Sequence, residues 1–496
     1  MSLFRKKDLS LMLAQAEDGG KGLKRTLGAG NLVALGVGAI IGAGLFVRTA
    51  AAAGQAAGPA VTLSFIIAAI GCAFAGLCYA EFAAMIPISG SAYAYSYVTM
   101  GETVAWIIGW ALIMEYALGA ATVSIAWSEY LNKLLGGSIP YEWSHSPFES
   151  VTDTAGVIHH GIMNAPSLVI LLLLTLLLIK GTQESAIVNA IIVFVKVAIV
   201  IIFIVLGWQF IKPENHTPYF IPADQPPLLD ASGKIVADYS GVFKHGWGGV
   251  LGGAAIVFFA FIGFDAVSTA AQEAKNPKRD MPIGILGSLV VCTILYILFG
   301  HVLTGVANWK DFVDPLKGRE ASVAYAISNY MTGYGWLATA VTVAILAGFS
   351  SVILVMLMGQ SRVFFSMAND GLLPKVFSDL HPKYRTPYKS NWILFAFVGG
   401  FAAFVPGSVA GDLTSFGTLF AFVLVSAGIW ILRVKSPEME RPFKTPLVPL
   451  VPILGALICL AMIFALDAQT LKVAFGWMIL GLVVYFVYSR KHSKLN

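Results

Sequence analysis

Hydrophobic residues run through this chain in blocks, not in alternation. Val169 to Ile179, Ile191 to Leu206 and Leu447 to Leu466 are nearly unbroken, the second interrupted only by Lys196. Stretches of roughly 20 apolar residues predict membrane-spanning helices, because only helices and closed barrels satisfy the backbone in lipid. The ten-residue alternation of barrel strands is absent. The pattern predicts an all-α polytopic membrane protein of twelve spans. They run over 30–54, 60–87, 103–132, 165–180, 184–211, 246–273, 282–307, 334–366, 391–406, 411–433, 447–466 and 472–489.

Composition sharpens this. The 496 residues are 57% hydrophobic and 12% charged, against about 25% charged in soluble domains. Too little polar surface remains to face water all round, so lipid is an expected partner and nucleic acid is not. Lys and Arg gather before the first span (Arg5, Lys6, Lys7, Lys21, Lys24, Arg25) and in alternate connections, among them Lys275, Lys278, Arg279, Lys383, Arg385, Arg433, Arg441 and Lys444. The other connections hold far fewer. By the positive-inside rule both termini are expected in the cytoplasm, and loops 133–164 and 212–245 outside. Asn215-His216-Thr217 in the second loop is a glycosylation sequon, read as unmodified. No cleavable signal peptide is expected, because the first apolar run starts near Asn31 after a charged segment. Leu3 to Gln15 is weakly amphipathic and is expected on the cytoplasmic surface or disordered. Cys72, Cys78, Cys292 and Cys459 lie in apolar blocks without metal-ligand spacing, as reduced packing residues do.

Glycine punctuates two spans. Span 1 contains Gly38-Ala39-Ile40-Ile41-Gly42-Ala43-Gly44, and span 6 contains Phe258-Phe259-Ala260-Phe261-Ile262-Gly263-Phe264-Asp265. Paired breaks five spans apart predict inverted repeats with a ligand site between them. Close helix packing through small residues is the competing reading, and it suits Gly249 and Gly253 better.

Several segments resemble one family. Thr26-Leu27-Gly28-Ala29-Gly30-Asn31 through Phe46-Val47 resembles the first helix of amino acid permeases of the amino acid–polyamine–organocation superfamily. Tyr79-Ala80-Glu81-Phe82 through Pro87-Ile88-Ser89-Gly90-Ser91-Ala92-Tyr93 resembles the signature between its helices 2 and 3. Span 6, running into Glu273-Ala274-Lys275-Asn276-Pro277, looks most like the cationic amino acid transporter branch. Met367-Ala368-Asn369-Asp370-Gly371-Leu372-Leu373-Pro374 is similar to the loop after helix 8. The resemblance covers spans 1 to 10 well and the last two loosely. It implies the LeuT-type 5+5 inverted repeat with helices 1 and 6 broken. The division is then a cytoplasmic segment 1–29, repeats 30–211 and 246–433, peripheral helices 447–489 and a cytoplasmic tail 490–496. Twelve spans look like a prokaryotic member, so a bacterial plasma membrane is expected.

An α-amino acid presents a carboxylate and an ammonium on one carbon. A break in span 1 offers N–H donors at Gly42, Ala43 and Gly44 for the carboxylate. Carbonyls of Ile40, Phe259 and Ile262 suit the ammonium. Gly38, Gly42 and Gly263 are candidate hinges. The resemblance also implies an aromatic gate at Phe259, with a packing role as the alternative.

Lys196 lies near the middle of span 5, about 12 residues from either end, hence roughly 18 Å. Its side chain cannot reach water from there, and a buried ammonium costs roughly 3 kcal/mol or more. The resemblance implies that a lysine here replaces a coupling sodium ion, which makes Lys196 the candidate proton-coupling group. A permanently charged lysine holding span 1 carbonyls is the alternative. Glu115 in span 3 lines a side-chain pocket, balances Lys196 or pins a helix. Asp265 ties the broken helix to its neighbours or takes part in protonation. Ser350 faces the side-chain pocket or bonds back to its own helix. Glu81 is expected to be structural, with a gate contact as the alternative, and Arg362 is expected as an inner anchor.

The expected function is secondary transport of L-amino acids by alternating access. Proton symport of small neutral substrates such as alanine, with cationic ones included, competes with a cationic carrier or exchanger that works without proton coupling. The only expected coupling partner is a proton; no cofactor, catalytic set or metal site is expected, and accessory subunits are not legible. An enzyme would need a convergent catalytic set. Of eight histidines only His301 falls in a span. A channel would need a repeated filter or a ring of charges, and neither is present in the sequence.

Overall fold

The computed structural model describes residues 5–7, 25–42, 44–88, 90–152, 158–229, 235–313, 322–464 and 468–495. The protein is mostly helical and multi-pass, with eight helical stretches among the described residues long and apolar enough to cross a membrane. The main helices are α1 Ala29–Ile40, α2 Val61–Met85, α3 Glu102–Leu134, α4 Ala165–Lys180, α5 Thr182–Gly207 and α6 Gly246–Phe258. They continue with α7 Pro277–Val306, α8 Gly335–Asn369, α9 Tyr388–Phe404, α10 Gly407–Lys435, α11 Leu450–Phe464 and α12 Ala468–Val484. Each apolar block read from the sequence therefore contains helix. The short α1, α4 and α11 are apolar as well.

α5 shows why these sequences fold this way. Ile187, Ile191, Phe194, Ile201 and Val205 face outward, as a lipid-facing stripe would. Asn189, Val193, Lys196, Val200 and Phe203 are buried on the opposite stripe. Both sets step by three, four or seven residues, the period of one helical face. The apolar stripe belongs to the lipid, and the mixed stripe packs inward.

Polar contacts seat the other helices. α12 lies against α3 through stacked rings, with Trp110 and Trp477 centred 4.9 Å apart. Trp106 Nε1 donates to the Gly481 carbonyl at 2.8 Å, and Trp110 Nε1 to that of Trp477 at 2.8 Å. Glu81, fully buried on α2, accepts a two-pronged contact from Arg433 at 2.9 Å per prong and the Thr445 amide at 2.7 Å. Arg441 adds an ion pair at 3.2 Å. Glu81 thereby fastens the α10–α11 connection to α2, so it is a structural hub.

Residues near the two ends of the chain meet. Arg5 Nη1 donates to the Leu495 carbonyl at 2.6 Å, and the Arg5 carbonyl accepts from the Glu102 amide at 2.8 Å. Lys7 pairs with Asp370 at 2.5 Å, while Ser493 bonds Glu102. Residues 5–7 and 493–495 therefore lie on one face, beside the start of α3 and the end of α8. α3 runs from there about 50 Å, so Lys133 and Leu134 lie on the opposite face.

The two long connections carry short antiparallel hairpins, Ser150–Thr152 with Ile158–His160 and Leu228–Leu229 with Ile235–Ala237. Tyr239 anchors the second connection by donating to the Gly54 carbonyl at 2.5 Å. The amide nitrogen of Asn215, the sequon residue, is engaged with the Gly305 carbonyl at 2.8 Å.

Candidate functional site

α1 stops where its sequence turns to glycine. Ile41 leaves the helix with ψ 102°, and a π-helical turn resumes over Gly44–Arg48. The Gly42 carbonyl already accepts from Leu45 and Phe46, which opens this second half-helix. Ala43, the middle residue of the predicted carboxylate contact, lies outside the described residues. The second break follows α6. A 3₁₀ turn, Phe259–Phe261, passes through extended Ile262 to Gly263, whose φ is 114°. L-residues avoid that region, so glycine is required there. A short helix, Ala266–Thr269, then begins.

The two breaks lie against each other. A Cβ on Gly44 would sit 2.2 Å from Cα of Ala260. One on Gly263 would sit 3.0 Å from the Ala39 carbonyl oxygen. Glycine at both positions lets one interrupted backbone touch the other. Tyr296 of α7 ties them together, its hydroxyl 2.9 Å from the Ile40 carbonyl and 2.8 Å from that of Ala260. The Ile40 carbonyl, a predicted ammonium acceptor, is thus engaged by a tyrosine.

Lys196 reaches the same place from α5. Its ammonium lies 2.9 Å from the Gly38 carbonyl, 2.7 Å from that of Ile41 and 3.4 Å from Ser351 Oγ. An ammonium has three protons, and here it has three acceptors. Carbonyls ending a helix carry partial negative charge, so the ammonium complements the end of α1. No carboxylate lies within ion-pair distance of Lys196 among the described residues; Glu115 does not balance it directly. Ser351 Oγ lies 2.8 Å from the Gly38 carbonyl and 2.7 Å from Asn189 Oδ1. Asn189 in turn donates to the Ala34 carbonyl at 3.3 Å. A side chain on Gly38 would collide with Ser351 and Asn189, and one on Gly42 with Val352. Along α8, Ser351 is 16 residues from Gly335 and 18 from Asn369, roughly 25 Å from either end. The clamp therefore lies at mid-depth.

Glu115 sits on a π-helical segment of α3, Ile113–Leu118. Such bulges occur frequently at functional sites. Glu115 and Asp265 are fully buried and within electrostatic reach of each other. Tyr116 donates to Asp265 Oδ2 at 2.6 Å. Neither Glu115 oxygen nor Asp265 Oδ1 makes a hydrogen bond of good geometry among the described residues, although the two carboxyls neighbour each other and Thr418 neighbours Glu115. Phe259 carries the Arg48 guanidinium over its ring at 5.1 Å. Ser350 donates to its own helix at Leu346, 2.9 Å away, and its neighbour Ser351 makes the contact with α1. Arg362 pairs at 2.9 Å with Glu273, both buried. The Glu273 carbonyl also accepts from Thr26 and Leu27, so this anchor joins α8 to the start of α1. Among the described residues no group of three His, Cys, Asp or Glu is placed to hold a metal ion.

Asn189, Tyr296 and Tyr116 escaped the sequence reading. Asn189 lies two turns before Lys196 on the same face, and a polar residue seven positions away in an apolar helix was a usable signal. Tyr296 continues a stripe on α7 with Ser288 and Cys292, spaced by four residues, and the stripe's Ser288 and Tyr296 touch α1. Tyr116 carried no separate signal, because only the fold brings it to Asp265.

Comparison with known proteins agrees with this geometry. The model of the amino acid permease family matches residues 27–488. The chain is 43% identical to the branched-chain amino acid permease BcaP of Bacillus subtilis, covering 100% of this chain and 99% of that one. It is 40% identical to the methylthioribose transporter of the same organism, over 100% and 99% of the two chains. It is 33% identical to the vacuolar cationic amino acid transporter 4 of Arabidopsis thaliana, over 88% of this chain and 68% of that one.

Proposed function

The chain belongs to the amino acid permease family, and from that premise we propose that it is a proton-coupled symporter of neutral L-amino acids. It is a transporter and not an enzyme. The observation that carries the coupling reading is the Lys196 ammonium, bonded to Gly38, Ile41 and Ser351 at the end of α1. A protonated lysine satisfies all three acceptors. A neutral one has two protons and a lone pair, so one acceptor loses its donor. Loss of the proton would loosen α1 against α5 and α8, and its return would clamp it again. That couples one proton to the position of the broken helix.

The substrate carboxylate would lie at the N–H groups of Gly42, Ala43 and Gly44, and its ammonium at carbonyls of the second break, Phe259 and Ile262. With Ile40 engaged by Tyr296, the ammonium would rely on the span 6 side. The substrate is proposed to include alanine and branched apolar side chains, supported by the two relatives named as branched-chain permeases. Glu115 and Asp265 favour a second reading. Their buried oxygens would accept hydroxyl or ammonium donors, as a methylthioribose or a cationic amino acid would present. Relatives named for both substrates match the chain.

The proposed architecture is twelve crossings in two inverted repeats, 30–211 and 246–433, with 447–489 peripheral and the termini cytoplasmic. Termini sharing one face require an even number of crossings, which supports it. Uptake into liposomes of alanine, leucine, arginine and methylthioribose, with and without an inward proton gradient and with no amino acid inside, tests the function. Gradient-dependent accumulation of alanine and leucine, lost in Lys196→Ala, is expected. Uptake that needs internal amino acid, or accumulation of arginine or methylthioribose alone, would replace this reading.

A further inference from the structure

α7 leaves the inner anchor at Pro277 and ends at Val306, about 45 Å away. Its last turn therefore lies on the face opposite residues 5–7, the outer face of the proposed topology. The connection after α5 is fastened there. The Lys212 amide donates to the Gly305 carbonyl at 3.0 Å, and Asn215 Nδ2 to the same oxygen at 2.8 Å. The His216 ring packs beside that of His301, with centres 4.7 Å apart. Its Nε2 lies 3.2 Å from the His301 carbonyl and 3.4 Å from Thr304 Oγ1.

The same connection holds the helical run Gly44–Met85, which leads from the first break into α2. The Ala60 amide donates to the Tyr219 carbonyl at 3.1 Å, and the Thr62 and Tyr219 hydroxyls bond each other. Ile221 fills the space beside Gly58, and Tyr239 donates to the Gly54 carbonyl. Residues 212–221 thus strap the outer end of the first broken helix to α7.

Two imidazoles fasten the strap, and no carboxylate pairs with either among the described residues. His301 otherwise meets the Trp208 ring, and His216 the Tyr219 ring. Lys212 reaches over the Tyr330 ring, and Glu214 is exposed. Burial and then the neighbouring His301 hold the His216 pKa below its usual value. In acid both rings take up protons, and two cations this close repel. Parting the strap from α7 relieves the repulsion.

We propose that His216 and His301 form a pH-sensitive strap that loosens in acid and frees the outer end of the first broken helix to open. It rests on the transport reading above, and not on Lys196, the proposed proton carrier at mid-depth. A proton-driven carrier meets acid on its outer side, so the strap eases opening where the driving ion is plentiful.

Backbone hydrogen exchange over residues 212–221, corrected for the intrinsic effect of pH, reads the strap directly. Protection in the wild type falls about tenfold between pH 7 and pH 5, the effect of one unit of pKa difference. His301→Gln keeps the backbone carbonyl that His216 meets and removes the second charge, so most of that fall vanishes. His301→Arg fixes the charge, and protection is already low at pH 7. In liposomes with the proton gradient held constant, leucine uptake rises as the outer pH drops from 7 to 5, and rises less in His301→Gln. Gradient-driven accumulation at pH 7 is retained in that variant. Protection that falls equally in the wild type and His301→Gln, or not at all in the wild type, overturns the strap. An uptake profile unchanged in His301→Gln overturns its control of opening. A wild type that takes up no amino acid overturns the transport reading instead, and hydrogen exchange then decides the strap alone.

Discussion

The hydroxyl of Tyr296 lies 2.9 Å from the carbonyl oxygen of Ile40, the last residue of α1. The same hydroxyl lies 2.8 Å from the Ala260 carbonyl in the second break. One proton serves two helix ends that have lost their regular partners. Tyr296→Phe keeps the ring, which packs against Phe65 and Phe261, and removes only the donor. Leaving buried carbonyls short of a donor costs about 1–3 kcal/mol. A lower unfolding temperature in detergent and slower uptake are expected together. Normal stability with normal uptake would mean that water replaces the hydroxyl without loss.

The glycines of the two breaks make a graded prediction. Gly44→Ala places a methyl 2.2 Å from a backbone atom of Ala260, and neither backbone can yield without separating the breaks. Uptake is expected to fall by more than about tenfold, corresponding to over 1.4 kcal/mol. Gly42→Ala meets only a methyl group of Val352, at 2.7 Å. Overpacking of that kind costs about 1–3 kcal/mol, and removing the obstructing methyl relieves it. Gly42→Ala with Val352→Ala should therefore recover uptake that Gly42→Ala loses, whereas Gly44→Ala with Val352→Ala should not.

These contacts show what the sequence could and could not disclose. Gly42, Gly44 and Gly263 stand out because glycine in mid-membrane is a local anomaly. Lys196 stands out because a charge in an apolar run is one too. The partners that give Lys196 meaning are ordinary as letters. Ser351 is one of two adjacent serines, and only helix phase decides that Ser350 turns to Leu346 while Ser351 turns to Gly38. Tyr296 and Tyr116 look like any aromatic residue in a span until two distant segments meet. The helical blocks were legible from period and length, because lipid enforces both. Pairing between helices was not, because it depends on rotation about each axis.

The inner anchor makes a stability prediction. Arg362 and Glu273 form a fully buried pair at 2.9 Å. Removing one partner strands the other charge, at a cost of about 3–5 kcal/mol. Arg362→Ala should therefore lower the unfolding temperature more than Lys389→Ala, which breaks the half-exposed pair with Asp379. Replacing both partners, Arg362→Met with Glu273→Met, should restore most of the loss, since no charge is then left unpaired. A double variant as unstable as Arg362→Ala would show that Glu273 matters chiefly through its contacts with α1.

His216 provides a pH prediction outside the spans. It sits in the 3₁₀ turn Pro213–His216 of the long connection, with its ring centre 4.7 Å from that of His301. Burial, and then the neighbouring His301, hold its pKa below the usual 6.5, while its hydrogen bond to the His301 carbonyl opposes them. Well above pH 7 the ring is uncharged in both folded and unfolded chains, so it adds no pH dependence there. As pH falls below about 6.5 the unfolded ring takes up a proton that the folded one resists. Stability is then lost progressively until the folded pKa is passed. The unfolding temperature should fall between pH 7 and pH 5 by less in His216→Gln than in the wild type. Equal slopes would show that the imidazole is solvated well enough in the folded chain to carry its charge freely.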